Sequence, residues 1–216
     1  MPRSKVFVVA ISAGLVLTGF APVSHAMNPA KGAPQSISGT GDAVPTLKPI
    51  NEPVIVTMSH DGASNFIVRP VGRDGDEGLT WSNEIGPYSG TTFQEMGGIF
   101  SSFDKKNPIV AADVMADGNW TIQIRKLKGA PKKKAKRGSG AGDVVFRLPK
   151  PTKGLTRMRF THDGESNFIV RPISKQGEDG ISMINEIGPY RGTVRVPPGT
   201  KYIWVKADGS WNYKRR

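Results

Sequence analysis

The chain has 216 residues, carries a formal net charge of +12 and contains no cysteine. Without cysteine it forms neither disulfides nor thiolate metal sites, and it carries no lipid on a cysteine. Glycine (26) and proline (17) are frequent, and no long segment shows a 3.6-residue apolar period. This composition excludes a helix bundle and favours turn-rich β structure.

The first 26 residues have the pattern of a secretory signal. Arg3 and Lys5 precede an apolar stretch over 6–21, and the sequence SHA at 24–26 is a small-x-small cleavage site. We expect cleavage before Met27 and a secreted mature protein. The apolar stretch is too short for a stable membrane span, and an uncleaved anchor is the alternative.

The chain contains an internal repeat. Residues 60–90 and 162–192 align without a gap at an offset of 102, and 19 of these 31 positions are identical. Self-similarity at a fixed offset indicates two copies of one module. We predict a signal peptide over 1–26, an extended segment over 27–40, a first module over 41–128, a lysine-rich linker over 129–141 and a second module over 142–216.

Each copy predicts a series of short strands. In the second copy, Met158 and Phe160 alternate with Arg157, Arg159 and Thr161. Period-2 alternation is typical of a strand with one face in water, so the Met/Phe face is predicted to point inward. Asp-Gly turns at 61–62, 117–118, 163–164 and 208–209 are hairpin signals.

Six or seven strands per copy, with turn signals roughly every ~10 residues, predict an all-β fold. We expect two tandem small antiparallel β-sandwich modules, jelly-roll-like, joined by a basic flexible linker. The first copy has 11 extra residues within 93–107. The predicted core pairs are Phe66/Phe168, Val68/Val170 and Trp120/Trp211.

Positive charge is concentrated in the second half of the chain. The first copy (51–128) carries −3, the 129–142 segment carries +5 and the second copy (143–216) carries +7. The 129–141 segment has no apolar residue larger than alanine, so it is predicted to be a flexible, charged linker.

The motif order SGxGD, HDGxSNFIVRP, NEIGPYxG and ADGxW resembles a family of secreted β-sandwich repeat modules found in actinobacterial and some archaeal surface proteins. The resemblance covers nearly all of both copies. It implies an extracellular, non-catalytic module, and it carries over no catalytic residues. The 11-residue insertion of the first copy departs from the pattern.

The sequence offers weak candidates for catalysis. His60 and His162 are the only histidines after the signal, and neither stands in a Ser-His-Asp arrangement. Glu84 and Glu186 are identical between copies, whereas a glycosidase needs two carboxylates across one cleft. We predict turn histidines and backbone-binding glutamates, and no catalytic residue.

Two acidic turns are candidates for calcium. They contain Asp74, Asp76 and Glu77 in the first copy, and Glu178 and Asp179 in the second. Carboxylate oxygens are suitable ligands, but the spacing is not that of an EF-hand. We predict solvated turn acids, no bound metal and no cofactor.

Tyr202 and Trp204 form a candidate ligand-binding pair. They alternate with Ile203 and Val205, so they are predicted to face out of the sandwich. An exposed Tyr/Trp pair can stack on sugar rings or anchor a partner. The alternative is that the other copy or the linker covers them.

The linker contains a candidate polyanion-binding run. Like the basic end at 214–216, it can attract polyanions through Coulomb forces and counterion release. For a secreted protein the expected partners are an anionic cell-wall polymer, a glycan or a membrane surface, and not nucleic acid; the alternative is a solvated tether. The candidate residues are Lys132, Lys133, Lys134, Lys136 and Arg137.

Together these features predict a secreted, non-catalytic binding or structural protein at or near the cell envelope, retained by basic segments. The first alternative is a carbohydrate-binding module that uses Tyr202 and Trp204. The second is a hydrolase with a site between the copies, built from His60 or His162 with Glu84 or Glu186.

Overall fold

The structure is a computed structural model that describes residues 34–98, 101–134 and 136–216. These ranges contain sixteen β-strands, one short 3₁₀ helix (Leu127–Gly129) and no α-helix. The predicted signal peptide (1–26) and residues 27–33 of the predicted extended segment lie outside the described residues. No helix in the described ranges is long and apolar enough to cross a membrane.

Each copy of the repeat contributes eight strands, one or two more than predicted. Module 1 consists of β1 (Gln35–Thr40), β2 (Thr46–Ile50), β3 (Val54–His60), β4 (Asn65–Gly72), β5 (Ser82–Ile85), β6 (Tyr88–Gln94), β7 (Ile109–Met115) and β8 (Asn119–Lys126). Module 2 consists of β9 (Arg137–Ala141), β10 (Val144–Arg147), β11 (Thr156–His162), β12 (Asn167–Ser174), β13 (Ile184–Ile187), β14 (Tyr190–Val196), β15 (Thr200–Lys206) and β16 (Ser210–Arg215).

The strands of each module form two four-stranded antiparallel sheets. Module 1 has sheet I, with the order β1-β8-β3-β6, and sheet II, with the order β2-β7-β4-β5. Module 2 has sheet III, with the order β9-β16-β11-β14, and sheet IV, with the order β10-β15-β12-β13. Both modules therefore share one eight-stranded jelly-roll order, and the prediction of two tandem all-β sandwiches is confirmed.

The Asp-Gly turns connect strands of opposite sheets, so the hairpins predicted there are wrong. In module 1 two such turns meet at one end of the sandwich and hold each other. Asp61 Oδ1 accepts a hydrogen bond from the Asn119 backbone N–H at 2.6 Å, and Asp117 Oδ2 accepts one from the Ser64 N–H at 2.9 Å. The turns approach so closely that a Cβ on Gly118 would lie 2.4 Å from the Gly62 nitrogen.

Each module has its own apolar core. All six predicted core residues are buried, and Phe66, Phe168, Val68 and Val170 are fully buried. The core clusters of module 1 and module 2 share no residue. The two modules are therefore separate sandwiches and do not share one continuous core.

The insertion in module 1 fills one end of its core. Phe103 lies in the loop between β6 and β7 and is 1% exposed. In module 2 a short turn over 197–199 connects the equivalent strands, β14 and β15. The extra residues therefore add core contacts that module 2 does not have.

The predicted boundaries are wrong at both modules. Residues 35–40, part of the predicted extended segment, pair with β8, and residues 137–141, part of the predicted linker, pair with β16. Their glycines allow this, because a tryptophan ring packs directly against the strand. A Cβ on Gly39 or Gly140 would lie 2.4 Å from the ring of Trp120 or Trp211, respectively.

The shorter linker that remains is also packed, which corrects the prediction of a flexible segment. Ala130 is buried between the modules. The Lys133 N–H donates to the Arg147 carbonyl at 3.0 Å, and the Arg147 N–H donates to the Pro131 carbonyl at 2.8 Å. Composition underestimated the order of this segment because a single alanine and backbone hydrogen bonds to β10 hold it.

Replacing Trp120 by alanine should lower the free energy of unfolding by about 3–5 kcal/mol. The ring is 2% exposed, and its Nε1–H donates to the Gly41 carbonyl at 2.9 Å. Urea unfolding measures this loss. The control is Leu79→Ala, at a 74% exposed position, which should change the free energy of unfolding little. A loss below about 1 kcal/mol for Trp120→Ala would show that the ring is not a core residue.

Candidate functional site

The two modules pack against each other through the outer faces of sheets I and IV. Ile55 and Phe93 of sheet I meet Val145, Ile173 and Tyr202 of sheet IV. All five are at most 7% exposed. They form a third apolar cluster, separate from both module cores, so the modules are in direct contact.

This contact covers the predicted ligand-binding aromatic pair. Tyr202 and Trp204 do face outward from sheet IV, but Tyr202 is only 6% exposed and Trp204 packs against the same interface cluster. The Arg171 guanidinium lies over the Trp204 ring, 5.7 Å from its centre. The prediction of an exposed pair is therefore wrong, and the alternative that the other copy covers it is correct.

An acid–base cluster lies beside Trp204 at the same interface. Arg171 Nη2 is 2.9 Å from Asp179 Oδ2, and the Asp179 backbone N–H donates to Glu95 Oε1 of module 1 at 3.0 Å. Burial raises the pKa of Asp179 to about 6, and the charge of Glu95 adds to this while Arg171 opposes it. This turn acid joins the modules instead of being solvated.

The acidic turn of module 1 is also bound to protein groups. Asp74 Oδ1 accepts from the Asp76 N–H at 3.0 Å, and Asp74 Oδ2 accepts from Asn107 Nδ2 at 2.6 Å. Glu77 lies 3.6 Å from the Arg69 guanidinium. Within the ranges that the structure describes, no three His, Asp or Glu residues form a group suited to a metal ion.

A second polar contact crosses the interface. The Tyr88 hydroxyl of module 1 donates to Asp143 Oδ2 at 2.9 Å, and Lys206 Nζ donates to Glu84 Oε1 at 3.0 Å. Burial raises the pKa of both Tyr88 and Asp143. Glu186, the module 2 counterpart of Glu84, does not line the cleft that contains Glu84, so the structure does not bring the two glutamates into one cleft.

The two histidines are buried at equivalent places. The His60 ring stacks on Phe66 with centroids 4.7 Å apart. Its Nδ1–H donates to the Gly86 carbonyl at 3.1 Å, since a carbonyl oxygen only accepts. Its Nε2 is 3.3 Å from Asp117 Oδ1, and the His162 side chain, like that of His60, is 0% exposed. These contacts connect turns within one module, and neither histidine side chain is exposed.

The linker cations divide into two kinds. Lys132, Lys134, Lys136 and Arg137 are exposed. Lys133 instead packs its amine 5.2 Å from the centre of the Trp211 ring and donates to the Ser139 carbonyl. Desolvation lowers the pKa of this amine. Four of the five predicted polyanion-binding residues are therefore available to a partner.

The outer face of sheet III carries a larger group of cations, which the sequence did not predict as a surface. We call it the basic face. Six of its side chains are exposed and Arg159 is half-buried. Among the described residues, none of them lies within 4.0 Å of a carboxylate. Its members are Arg137, Arg157, Arg159, Arg191, Arg195, Lys214 and Arg216.

Part of the basic face forms an open cleft of about 610 Å³. Arg159, Arg191 and Lys214 line it together with the neutral side chains Thr161 and Asn212. The sequence feature that indicates this surface is the alternation of arginine or lysine with buried residues in three separate segments. The surface emerges only when β11 pairs with both β14 and β16, which sequence reasoning did not predict.

Comparison with known proteins assigns no family. No family model matches the chain, and no curated protein matches it. The resemblance to secreted β-sandwich repeat modules therefore stays a prediction from motif order. The structure provides an internal comparison instead, because two copies of one fold differ in the charge of their outer faces.

Replacing Phe93 by arginine should separate the modules. The change places an unpaired cation in the interface cluster, which is strongly unfavourable. Denaturant unfolding followed by tryptophan fluorescence should then show two transitions, and small-angle scattering should show a more extended particle. Arg195→Phe, the converse exchange at the equivalent exposed position of module 2, should cause neither change. Wild-type unfolding and scattering for Phe93→Arg would contradict the interface.

Asp179 should make stability depend on pH. Its pKa rises from 3.8 to about 6 on folding, so between about pH 4 and pH 6 the folded protein holds a proton that the unfolded chain releases. This contribution to the free energy of unfolding therefore falls as pH rises through that window. Urea titrations from pH 4 to pH 7 should show a more negative slope for wild type than for Asp179→Asn. The matched control is Glu178→Gln, at an exposed neighbour, and identical slopes for wild type and Asp179→Asn would refute the effect.

Proposed function

We propose that this chain is a secreted, non-catalytic binding protein that acts at or near the cell envelope, where anionic material retains it. The observation that carries the proposal is the basic face, with seven cations and no carboxylate partner among the described residues. The signal-like pattern of residues 1–26 supports secretion. In that location the available polyanions belong to the envelope.

The pairing of titratable groups supports a binding role over a catalytic one. Across the interface, Glu84 pairs with Lys206 and Tyr88 pairs with Asp143. The buried histidines each contact a backbone carbonyl and an aspartate of their own module. A hydrolase needs a base next to a nucleophile or a second carboxylate across a cleft, whereas the interface groups bind each other and the histidine side chains are fully buried.

No observation favours the carbohydrate-binding alternative. It requires Tyr202 and Trp204 to present their faces to a sugar, and both pack in the interface between the modules. The same contact removes the pair as an anchor for a separate partner. The exposed cations remain as the surface best suited to a ligand.

Binding of the mature protein to envelope material should be electrostatic. Exposed charges are screened beyond about 8 Å at physiological ionic strength, and each phosphate contact releases counterions. Cosedimentation with envelope fragments should therefore weaken more than about tenfold between 50 and 200 mM salt. Fragments stripped of anionic polymer are the control and should retain little protein.

A linker variant distinguishes the contribution of the linker cations to retention from that of the basic face. Replacing Lys132, Lys134 and Lys136 by serine should weaken retention modestly and leave thermal stability unchanged, because these side chains are exposed. Lys133 is left in place since it packs on Trp211. Salt-insensitive retention, or equal retention on stripped fragments, would overturn the proposed function.

A further inference from the structure

The basic face is a grid of cations set directly opposite one another. Arg157 on β11 lies opposite Arg195 on β14. Arg159 on β11 lies opposite Lys214 on β16, and Lys214 in turn lies opposite Arg137 on β9. Like charges in register across a sheet are destabilising, so this arrangement costs stability that a bound polyanion would restore.

The equivalent face of module 1 is a different kind of surface. Where module 2 has Arg157 and Arg195, module 1 has Ile55 and Phe93, which pack in the interface. The shared fold therefore does not require cations at these positions. The other equivalent positions hold Ser36, Thr57, Ser89, Gln123 and a single basic residue, Arg125.

We infer that the basic face binds a linear phosphodiester polymer of the poly(glycerol phosphate) type. The inference rests on the proposed function and names its ligand and its site. The polymer lies along the cleft between β14, β11 and β16, where Arg159, Arg191, Lys214 and Arg216 contact its phosphates.

The shape and composition of the face favour a chain over a lipid surface. The cations border a shallow, open cleft on the sheet surface, which a flexible polymer can follow along its length. The neutral side chains between them, Thr161, Thr193 and Asn212, suit the hydroxyl and ester oxygens of a polyol phosphate. The outward positions of β11, β14 and β16 carry no large apolar residue, whereas membrane-surface binding usually adds such anchors to the positive charge.

The identity and spacing of the cations favour phosphodiesters. Six of the seven are arginine, whose planar guanidinium binds phosphate oxygens in a two-pronged manner. Arg157 and Arg159 on β11 follow one another at about 6.8 Å, as do Lys214 and Arg216 at the end of β16. On β14, Thr193 separates Arg191 from Arg195. These intervals along the strands suit a polymer whose charges are separated by several bonds. A polycarboxylate such as polyaspartate carries its charges closer together and fits the grid less well.

Titration calorimetry on the full mature chain tests the inference, with poly(glycerol phosphate), polyaspartate of equal charge number and phosphatidylglycerol vesicles as probes. The cleft variant is Arg159→Ser, Arg191→Ser, Lys214→Ser and Arg216→Ser together. The matched control is Lys128→Ser, Lys150→Ser, Lys153→Ser and Lys175→Ser, which removes the same charge from exposed positions elsewhere.

The cleft variant should bind poly(glycerol phosphate) at least about tenfold more weakly than wild type at 50 mM salt, and its salt dependence should be shallower by about 3 in log–log slope. The control should stay within about twofold of wild type. Thermal unfolding verifies folding, and removing opposed like charges should not lower the midpoint. Polyaspartate should bind wild type more weakly than poly(glycerol phosphate).

Each contrary result has a distinct meaning. If wild type binds no anionic probe, the proposed function fails together with this inference. If wild type binds and the two variants lose affinity equally, binding is non-specific and only the assigned site is wrong. Equal affinity for polyaspartate and poly(glycerol phosphate) would show that the ligand need not be a phosphodiester. Tighter binding to the vesicles than to poly(glycerol phosphate) would show that the ligand is a lipid surface and not a polymer.

Discussion

The apolar contact between the outer faces of sheets I and IV is the constraint on which the rest of the molecule depends. It covers Tyr202, so an aromatic surface that looks suited to a ligand becomes internal. It buries Ala130 and thereby fixes the short linker. It also uses one outer face of each module, which leaves the outer face of sheet III open in module 2. The surface that a partner can reach is therefore decided by how the modules pack.

The electrostatics of the chain follow the same division between covered and open faces. At the covered faces, Arg171 pairs with Asp179, because an isolated charge in a desolvated contact is costly; at the partly exposed edge of the contact, Lys206 pairs with Glu84. At the open face, the cations have no carboxylate partner within the described ranges. The high dielectric constant of the surrounding water weakens the repulsion between these exposed cations, and they can bind an external anion.

The sequence predicted what local patterns determine and missed what depends on neighbours. The repeat and the period-2 alternation correctly predicted two sandwiches and the burial of Phe66 and Trp120. The alternation also correctly placed Trp204 on the outside of its sheet, but it carries no information about a second module packing there. Arg191 and Arg159 are far apart in sequence, and their placement in one cleft depends on strand pairing. The linker was misjudged because backbone hydrogen bonds to β10 do not depend on side-chain hydrophobicity.

The contact between the modules joins two unlike faces, and head-to-tail contacts of this kind have no inherent end. To repeat the contact on the other side of module 2, the outer face of sheet III would have to be apolar like that of sheet I. It has Arg195 at the position of Phe93. A further copy would need, on module 1, the aromatic face that module 2 provides, but Asp113 stands where module 2 has Trp204. A heterologous contact can build filaments, and here the remaining equivalent face of each module has a charged residue, Arg195 or Asp113, where the contact has an aromatic one.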